Sequence, residues 1–372
     1  MPYNVSGNPQ SRGRTPLVPR VCSHLFVVAE SFSRPSEFMS SLHFIETFDN
    51  KGGGVPRVAQ AIQHFFKEDL IVPVLEMSLL SALRKTAALI KSGDHRKNVF
   101  VHNIYCPRAI ILGLIGSVFC RARLFVTPHG ATNFNLVRGS AKKRLYLKAL
   151  SVILRPFVYR YHFLNQGEAT DSYLNSRAKT KSVIFSYPIL IPEGDVPIRR
   201  GDVYNDKLRI SFFSRVEKRK GILNLLTAVD QLNAEHFKIH LDIFGPIETS
   251  EIRQAINTVS SASYHGMVSL YEYIRFLDNI DIFCLPSFGE AHSLALMEHI
   301  LLGLPCLVSR EANSPPADGV LVYGRFDDID ALKAGIRKLS AIRVREAAST
   351  SNLDFGRQYN ATAVRTIKHI VG

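Results

Sequence analysis

The sequence predicts an α/β protein with two doubly wound, Rossmann-like parallel sheets and a cleft between them. Short apolar runs typical of buried strands alternate with amphipathic helical patterns from Leu42 to Ser186, and the same alternation restarts at Leu208. Strands that alternate with helices form parallel sheets joined by right-handed crossovers. A chain of 372 residues is also long for one hydrophobic core and suits two domains.

A segment without periodicity separates the two alternating halves. It contains three prolines and two glycines, so we interpret it as a linker. The first twenty residues are rich in Arg, Ser, Pro and Gly, and Met39 stands just before the first clear strand, which indicates a flexible extension. The predicted units are an extension over 1–40, an N-terminal domain over 41–187, a linker over 188–205, a C-terminal domain over 206–355, and a helix over 356–372 that crosses back to the first domain.

The strands and helices follow in regular order along each half. The first half predicts strands at 42–48, 70–75, 98–102, 124–127, 161–164 and 182–186, with helices at 58–66, 80–90, 109–119, 141–160 and from 168. The second half predicts strands at 208–213, 239–244, 262–264, 280–285, 305–308 and 320–322, with helices at 222–232, 251–259, 270–277, after 293, and at 359–370.

The net charge of +14 is unevenly distributed along the chain. Between Asp94 and Glu168 there is no acidic residue, while this window contains twelve Lys and Arg residues. Such a one-sided basic surface attracts nucleic acid, anionic lipid or a phosphate-bearing substrate. A solvated basic surface without a partner is the alternative.

The apolar runs and the cysteines indicate a cytoplasmic protein. The longest apolar candidate, Ala109–Phe119, is too short to span a bilayer and is typical of a buried helix. The five cysteines are scattered, form no CxxC pair, and several lie in apolar runs, which is typical of reduced buried thiols.

The stretch from Pro286 to Glu298 is the strongest functional candidate. It follows an apolar run typical of a buried strand, so Glu290 is predicted on the loop at the carboxyl end of that strand, with Glu298 about two turns into the next helix. The helix start offers free N–H groups that suit a phosphate, and carboxylates accept hydrogen bonds from sugar hydroxyls. An ordinary strand–loop–helix with two surface glutamates is the alternative.

Three further features are predicted at strand ends. Arg215 and Lys220 follow the first strand of the second half, where two cations can clamp a diphosphate. His129 ends a strand beside a glycine, and His102, at the end of a neighbouring strand, is a weaker candidate. The glycine run 52–54 follows the first strand and lets the backbone approach a ligand. The alternative for Arg215 and Lys220 is a solvated basic turn, and the alternative for His129 is a structural histidine. The alternative for the glycine run is a plain tight turn.

Taken in chain order, the glycine run, His129, the Arg215–Lys220 pair and the two glutamates resemble the motifs of the GT-B glycosyltransferases of family 4 (glycosyl transferases group 1). These are retaining enzymes with a Glu-x7-Glu motif, and the resemblance extends from about residue 41 to the end of the chain. The resemblance implies that a nucleotide-diphosphate sugar is the donor and that no metal or cofactor is needed. It implies that His129 and Glu290 are catalytic, with Glu290 binding the donor sugar, and that Glu298 binds the ribose. It also implies that the diphosphate is bound by Arg215, Lys220, Ser293, Leu294, Gly53 and Gly54.

The chain departs from the common pattern of this family between its two glutamates. The more usual Glu-Gly-Phe-Gly is here Glu290-Ala-His-Ser293, so two glycines are lost and the loop becomes stiffer. We expect Ala291 and His292 to influence which sugar is chosen.

The resemblance implies a retaining hexosyltransferase with an acceptor-binding first domain and a donor-binding second domain. The predicted basic helix carries apolar residues among its cations, so we expect it to lie on an anionic membrane. This favours a lipid-linked acceptor or a growing polysaccharide in cell-surface glycan assembly, and a cytoplasmic protein held peripherally at the inner face of the membrane. A core-facing helix with a basic outer face is the alternative.

Three other functions compete with this one. A sugar-nucleotide epimerase or hydrolase of the same fold would need no acceptor. A nucleic-acid-binding protein is suggested by charge alone, but the sequence lacks interleaved aromatic platforms and any recognisable binding motif, so no nucleic-acid partner is expected. A non-catalytic scaffold is disfavoured because all four charged positions of the family motifs are present.

Overall fold

The protein consists of two α/β lobes, each built on a six-stranded sheet in which every strand pairing is parallel. The fold is taken from a computed structural model. The residues that it describes are 41–48, 54–91, 98–174, 181–191 and 207–371. The prediction of an α/β fold with two parallel sheets is confirmed. The extension over 1–40, the glycines at 52 and 53 and most of the linker lie outside the described residues.

The first sheet and its helices form the N-terminal lobe, with strand order β2-β1-β3-β4-β5-β6. Its strands are β1 Ser41–Ile45, β2 Leu70–Pro73, β3 Asn98–His102, β4 Arg123–Thr127, β5 Val158–Phe163 and β6 Ser182–Ile184. Its helices are α1 Gly54–Phe65, α2 Leu79–Lys91, α3 Pro107–Phe119, α4 Phe134–Arg138, α5 Ala141–Leu154 and α6 Gln166–Asp171. Apolar residues of α2, α3 and α5 cover one face of the sheet, and those of α1 cover the other.

The second sheet and its helices form the C-terminal lobe, with strand order β12-β11-β10-β7-β8-β9. Its strands are β7 Leu208–Phe213, β8 Ile239–Phe244, β9 Ala262–Tyr264, β10 Ile282–Leu285, β11 Cys306–Val308 and β12 Val320–Val322. Its helices are α7 Ile222–Ala234, α8 Ser250–Thr258, α9 Leu270–Ile274, α10 Leu294–Leu301 and α11 Ile329–Ser340. The winding direction changes between β7 and β10, and ligands of open α/β sheets bind at such a point.

The helix α12 Ile342–Val371 packs against both lobes. Its middle is tied to the segment after β6, because Asn360 exchanges hydrogen bonds of 2.8 and 2.9 Å with the backbone of Ile189. Its end reaches the N-terminal sheet, where the carbonyl of Val371 accepts hydrogen bonds from Asn98 and Arg123 at 2.9 and 2.6 Å.

The predicted helix over 141–160 is wrong at its C-terminal end. The helix α5 stops at Leu154, and β5 begins at Val158, inside the predicted helix. The cause is Pro156, which has no amide hydrogen and whose ring clashes with the preceding turn of a helix. Phe157 therefore lies in the connection between helix and strand. Among the described residues, no helix is long and apolar enough to cross a membrane.

Candidate functional site

A cavity of about 1120 Å³ lies between the two lobes, at the carboxyl ends of both sheets. It brings together residues that the sequence distributes over both halves of the chain. The predicted site residues that line it are Gly54, His129, Arg215, Lys220, Glu290, Ala291, His292, Ser293, Leu294 and Glu298. Gly53, the remaining predicted residue, lies outside the described part of the chain.

The N-terminal lobe contributes the start of α1 and the turn after β4. Gly54 is the first residue of α1, and a Cβ atom at this position would lie 3.4 Å from Leu294 of the opposite lobe. His129 has a left-handed backbone with a φ of 49°. Burial, and secondly the neighbouring His292, lowers the pKa of His129 to about 3, so its imidazole is neutral near pH 7.

A buried carboxylate holds the turn that carries His129. Glu168 accepts hydrogen bonds from the backbone N–H of Gly130 at 2.6 Å and of Leu164 at 2.7 Å. Burial raises the pKa of Glu168 to about 7, although the two N–H donors act in the opposite direction. Gly130, with a φ of 75°, faces Ala291 across the cleft, and a Cβ atom on Gly130 would lie 2.5 Å from that side chain.

The two predicted cations of the C-terminal lobe differ in their surroundings. Arg215 is half-exposed and lies 3.4 Å from Glu217. Lys220 is only 8% exposed, and its Nζ atom lies 2.5 Å from Oε1 of Glu290. Burial lowers the pKa of Lys220, while the Glu290 carboxylate opposes this shift.

A glycine allows Lys220 to reach the loop that follows β10. Gly221 has a φ of 77°, and a Cβ atom there would lie 1.9 Å from the carbonyl oxygen of Pro286. Only glycine fits this close approach of two backbone segments. The signal was visible in the sequence as the glycine directly after Lys220.

The loop between the two glutamates is held from several sides. The Glu290 carboxylate accepts a hydrogen bond of 2.6 Å from the Ser287 hydroxyl, and its carbonyl accepts one of 2.5 Å from Asn313. The carbonyl of Ala291 accepts a hydrogen bond from Asn165 of the N-terminal lobe. The predicted stiffness of this loop is therefore reinforced by contacts that no local sequence signal indicates.

His292 lies against the helix α12. Its Nε2 atom is 3.4 Å from the hydroxyl of Tyr359. Burial lowers the pKa of His292 to about 4, so an uncharged imidazole lines this part of the cavity near pH 7.

The start of α10 supplies hydrogen-bond donors to the cavity. Ser293 is the N-cap residue, and its hydroxyl accepts a hydrogen bond of 3.2 Å from the N–H of Leu296. The other amides of a first helical turn have no partner within the helix, and they favour an anion. Ser293 and Leu294 both line the cavity.

Arg57 is a site residue that the sequence reasoning missed. Its Nη1 atom lies 2.8 Å from both carboxylate oxygens of Glu298, and its guanidinium lies over the ring of Phe213. Glu298 is 3% exposed; burial raises its pKa to about 7, and Arg57 acts in the opposite direction. The only sequence signal was the position of Arg57 one turn after the glycine run.

The arrangement fits a ligand that carries both an anion and hydroxyl groups. Cations and helix amides face the same cavity as two carboxylates, each of which is paired with a cation in the structure. Hydroxyl groups of a ligand can bond to the carboxylates while its phosphates take the cations. Within the described ranges, no group of three or more His, Cys, Asp or Glu side chains is arranged to hold a metal ion.

Residues 207–341 match the family model described as Glycosyl transferases group 1. No curated protein sequence matches the chain significantly.

Three solved structures illustrate the fold. HepE from Anabaena, solved with UDP and glucose, aligns with a TM-score of 0.67 at 12% identity, over 90% of this chain and 99% of that chain. Sucrose-phosphate synthase from Thermosynechococcus elongatus gives 0.65 at 13% identity, over 89% of this chain and 98% of that chain. A glycosyltransferase from Rickettsia africae gives 0.65 at 14% identity, over 90% of this chain and 98% of that chain. At these identities, the similarities show the fold, which is the GT-B arrangement of two lobes.

Proposed function

We propose that the protein is a glycosyltransferase that moves a hexose from a nucleoside-diphosphate donor to an acceptor hydroxyl, with retention of the anomeric configuration. One observation carries this proposal: a single cleft is lined by the start of α10 together with Arg215, Lys220, Glu290 and Glu298. The match to group 1 glycosyl transferases and the fold shared with HepE, which was solved with UDP, support it. No metal or other cofactor is part of the proposal.

In the proposed reaction, the bond between C1 of the sugar and the diphosphate oxygen breaks while the acceptor oxygen bonds to C1 on the same face. The acceptor proton passes to the departing diphosphate. Negative charge grows on that group, so Arg215, Lys220 and the α10 amides stabilise the transition state more than the ground state. Glu290 holds hydroxyls of the donor sugar, Glu298 holds the ribose, and His129 lies beside the reacting sugar.

The donor is identified by thermal denaturation with UDP-, GDP- and ADP-glucose. A ligand at about one hundred times its Kd stabilises the folded state by about 2.7 kcal/mol, which raises the melting temperature measurably. We expect one nucleotide class to do so, and UDP is the first to test because HepE was solved with it. If no nucleotide raises the melting temperature of the folded protein, the donor assignment fails.

Product analysis without an acceptor separates transfer from the rival chemistry. A transferase consumes little donor under these conditions. Rapid formation of free sugar or of an epimeric nucleotide sugar would instead support the hydrolase or epimerase of the same fold.

The proposal includes a lipid-linked acceptor or a growing polysaccharide, reached from an anionic membrane surface in the cytoplasm. The support is the outer surface of α3 and α5, where Phe119 is 67% exposed and Ile153 is 59% exposed. The helix α5 also carries Lys142, Arg144 and Lys148, which favour anionic headgroups. Further exposed apolar side chains of these two helices are Ile111, Val118, Leu145 and Val152.

Sedimentation with phosphatidylglycerol vesicles at low salt tests the membrane contact. We expect the protein to bind these vesicles and to bind neutral phosphatidylcholine vesicles weakly. Phe119→Asp and Ile153→Asp should reduce binding, whereas Tyr271→Asp, at an exposed aromatic residue of the other lobe, should not. No binding to anionic vesicles at low salt would defeat the membrane proposal while leaving the donor site untouched.

A further inference from the structure

Three histidines and one carboxylate form a continuous hydrogen-bonded line inside the N-terminal lobe. Oδ2 of Asp69 lies 3.2 Å from Nε2 of His43. Nδ1 of His43 lies 3.0 Å from Nε2 of His102, and Nδ1 of His102 lies 2.9 Å from Nε2 of His129. His43 and His102 are buried, while His129 lines the cleft. The line therefore connects a carboxylate just before β2 to the cavity between the lobes.

The position of Asp69 determines the direction of every hydrogen bond in this line. Its Oδ1 atom accepts the backbone N–H of Ser41 at 2.7 Å, and its Oδ2 atom faces His43. An ionised carboxylate only accepts hydrogen bonds, so Nε2 of His43 carries the proton that faces Asp69, and Nδ1 is left to accept from His102. The same reasoning places the proton on Nε2 of His102, and then on Nε2 of His129.

We propose that Asp69, His43 and His102 are positioning residues that hold His129 with its proton on Nε2, so that its Nδ1 atom accepts a hydrogen bond from a substrate hydroxyl. A lone pair at Nδ1 attracts a hydroxyl donor and repels a phosphate oxygen. His129 is thus assigned to a sugar hydroxyl and not to the diphosphate. This inference rests on the proposed function, which places a sugar beside His129.

Neutral rings are required for this line, and the burial of the histidines supports them. Burial, and next the neighbouring histidines, lowers the pKa of His102 well below its usual value. The pKa of His129 is lowered in the same direction. The rings of His102 and His129 therefore each carry one proton near pH 7, which the alternating donors and acceptors of the line need.

His162 shows what a purely structural histidine looks like in the same lobe. It is fully buried, and both of its nitrogens have local partners, the carbonyl of Phe185 at 2.8 Å and the hydroxyl of Thr127 at 2.9 Å. The line from Asp69 differs because its last member lies in the cleft. His162 is a reference signal whose tautomer should not respond to changes in the line.

The tautomers are measured by proton–nitrogen NMR of the full chain labelled with ¹⁵N-histidine. Signals are assigned by comparison with single His→Gln variants. In the wild type, His43, His102 and His129 should all show a protonated Nε2 and an unprotonated Nδ1. If any one of these three rings were protonated on Nδ1 alone, the proposal would be overturned. This wild-type measurement needs no variant at Asp69.

Asp69→Asn provides the sharper test because it should reverse the whole line. The amide oxygen is needed for the N–H of Ser41, so the NH₂ group faces His43 and donates to its Nε2 atom. All three rings should then move their proton to Nδ1, and His162 should not change. An unchanged His129 tautomer in a folded Asp69→Asn protein would overturn the proposal.

Steady-state kinetics of Asp69→Asn provide an independent test. The matched control is Asp171→Asn, at an exposed carboxylate of the same lobe. We expect Asp69→Asn to lower kcat at least tenfold with little change in donor KM, since Nδ1 of His129 becomes a donor and the sugar hydroxyl can no longer donate to it. Unchanged kcat in a variant with reversed tautomers would overturn the role in transfer. If the wild type transfers no sugar at all, the proposed function fails, and the NMR test still decides the line.

Discussion

Arg57 and Glu298 are 241 positions apart in the sequence, yet the Arg57 guanidinium lies 2.8 Å from both carboxylate oxygens of Glu298. The pair joins the first turn of α1 in one lobe to the second turn of α10 in the other. It therefore connects the two lobes at the carboxylate that is proposed to bind the donor ribose.

Replacing this arginine should weaken donor binding in a pH-dependent way. Arg57 lowers the pKa of Glu298 against the effect of burial, so in Arg57→Met that pKa rises above its value of about 7. At pH 7 the carboxyl group is then mostly protonated and is a poorer acceptor for ribose hydroxyls. We expect about a tenfold loss of nucleotide affinity, equal to about 1.4 kcal/mol, at pH 7.

Raising the pH to 9 ionises Glu298 and should restore part of this affinity. Calorimetric titration at both values measures the effect, and Arg275→Met, at an exposed arginine of the C-terminal lobe, is the control. An equal loss of affinity at pH 7 and pH 9 would contradict the explanation through Glu298.

Glu290→Gln should separate transfer from nucleotide binding. The substitution removes the carboxylate that is proposed to hold the donor sugar, so the transfer rate is expected to fall by about a hundredfold or more. It also releases Lys220, which lies 2.5 Å from that carboxylate, to interact with phosphate. The affinity for the nucleoside diphosphate without sugar should therefore be at least as strong as in the wild type.

Rate assays and calorimetry on the same preparation check both parts. Glu251→Gln changes a carboxylate paired with Lys218 at the surface and should alter neither quantity. Near wild-type transfer by Glu290→Gln would remove Glu290 from the mechanism.

Gly130→Ala should interfere with the contact between the lobes. The new methyl group would lie 2.5 Å from the Cβ atom of Ala291, and the left-handed backbone adds a cost of about 1 kcal/mol. We expect lower transfer activity because the lobes cannot approach as closely.

The double variant Gly130→Ala/Ala291→Gly tests whether the contact is the cause. It removes the clash and leaves the backbone cost, so activity should recover partly. Activity that stays at the level of the single variant would show that the backbone, and not the contact, limits the proposed transfer.

Glu168 should make the stability of the N-terminal lobe depend on pH. Its pKa is raised to about 7 in the folded state, so the folded protein binds a proton more tightly than the unfolded chain. This contribution is fully present below the unfolded pKa of about 4.3 and is lost as the pH rises through about 7. The free energy of unfolding of the wild type, minus that of Glu168→Gln, should therefore be larger at pH 5 than at pH 8.

Amide hydrogen exchange of the N-terminal lobe, recorded in increasing urea at both pH values, measures this difference. Glu248→Gln, at an exposed carboxylate, should show no comparable change with pH. A difference that grows with pH would mean that hydrogen bonding to the ionised form outweighs burial.

The parts of the site that were predictable are those set by local chain order. Glu290 and Glu298 were predicted at a strand end and in the following helix, because an apolar run and a helical pattern flank them directly. The cations at positions 215 and 220 follow the same logic after β7. In parallel sheets, such strand ends lie at one edge whatever the rest of the chain does.

The parts that were missed depend on contacts distant in sequence. Arg57 has no acidic neighbour that would mark it, and its partner belongs to the other lobe. His43 lies within β1, and only the strand order β1-β3-β4 brings it next to His102 and His129. The end of α5 is different, because it is set by a local signal, Pro156, which outweighs the apolar periodicity that continues to residue 160.

Under the proposed function, the two internal ion pairs favour small molecules that can replace both partners of the two carboxylates. A free sulfate or chloride ion can attract Lys220 away from Glu290, but it carries no hydroxyl hydrogen for the carboxylate of Glu298 that Arg57 would leave. A nucleotide sugar carries the anion and the hydroxyls in one molecule, so it can replace both partners together. Abundant inorganic anions should therefore be weak inhibitors, and selectivity would come from exchanging two partners in a single binding event.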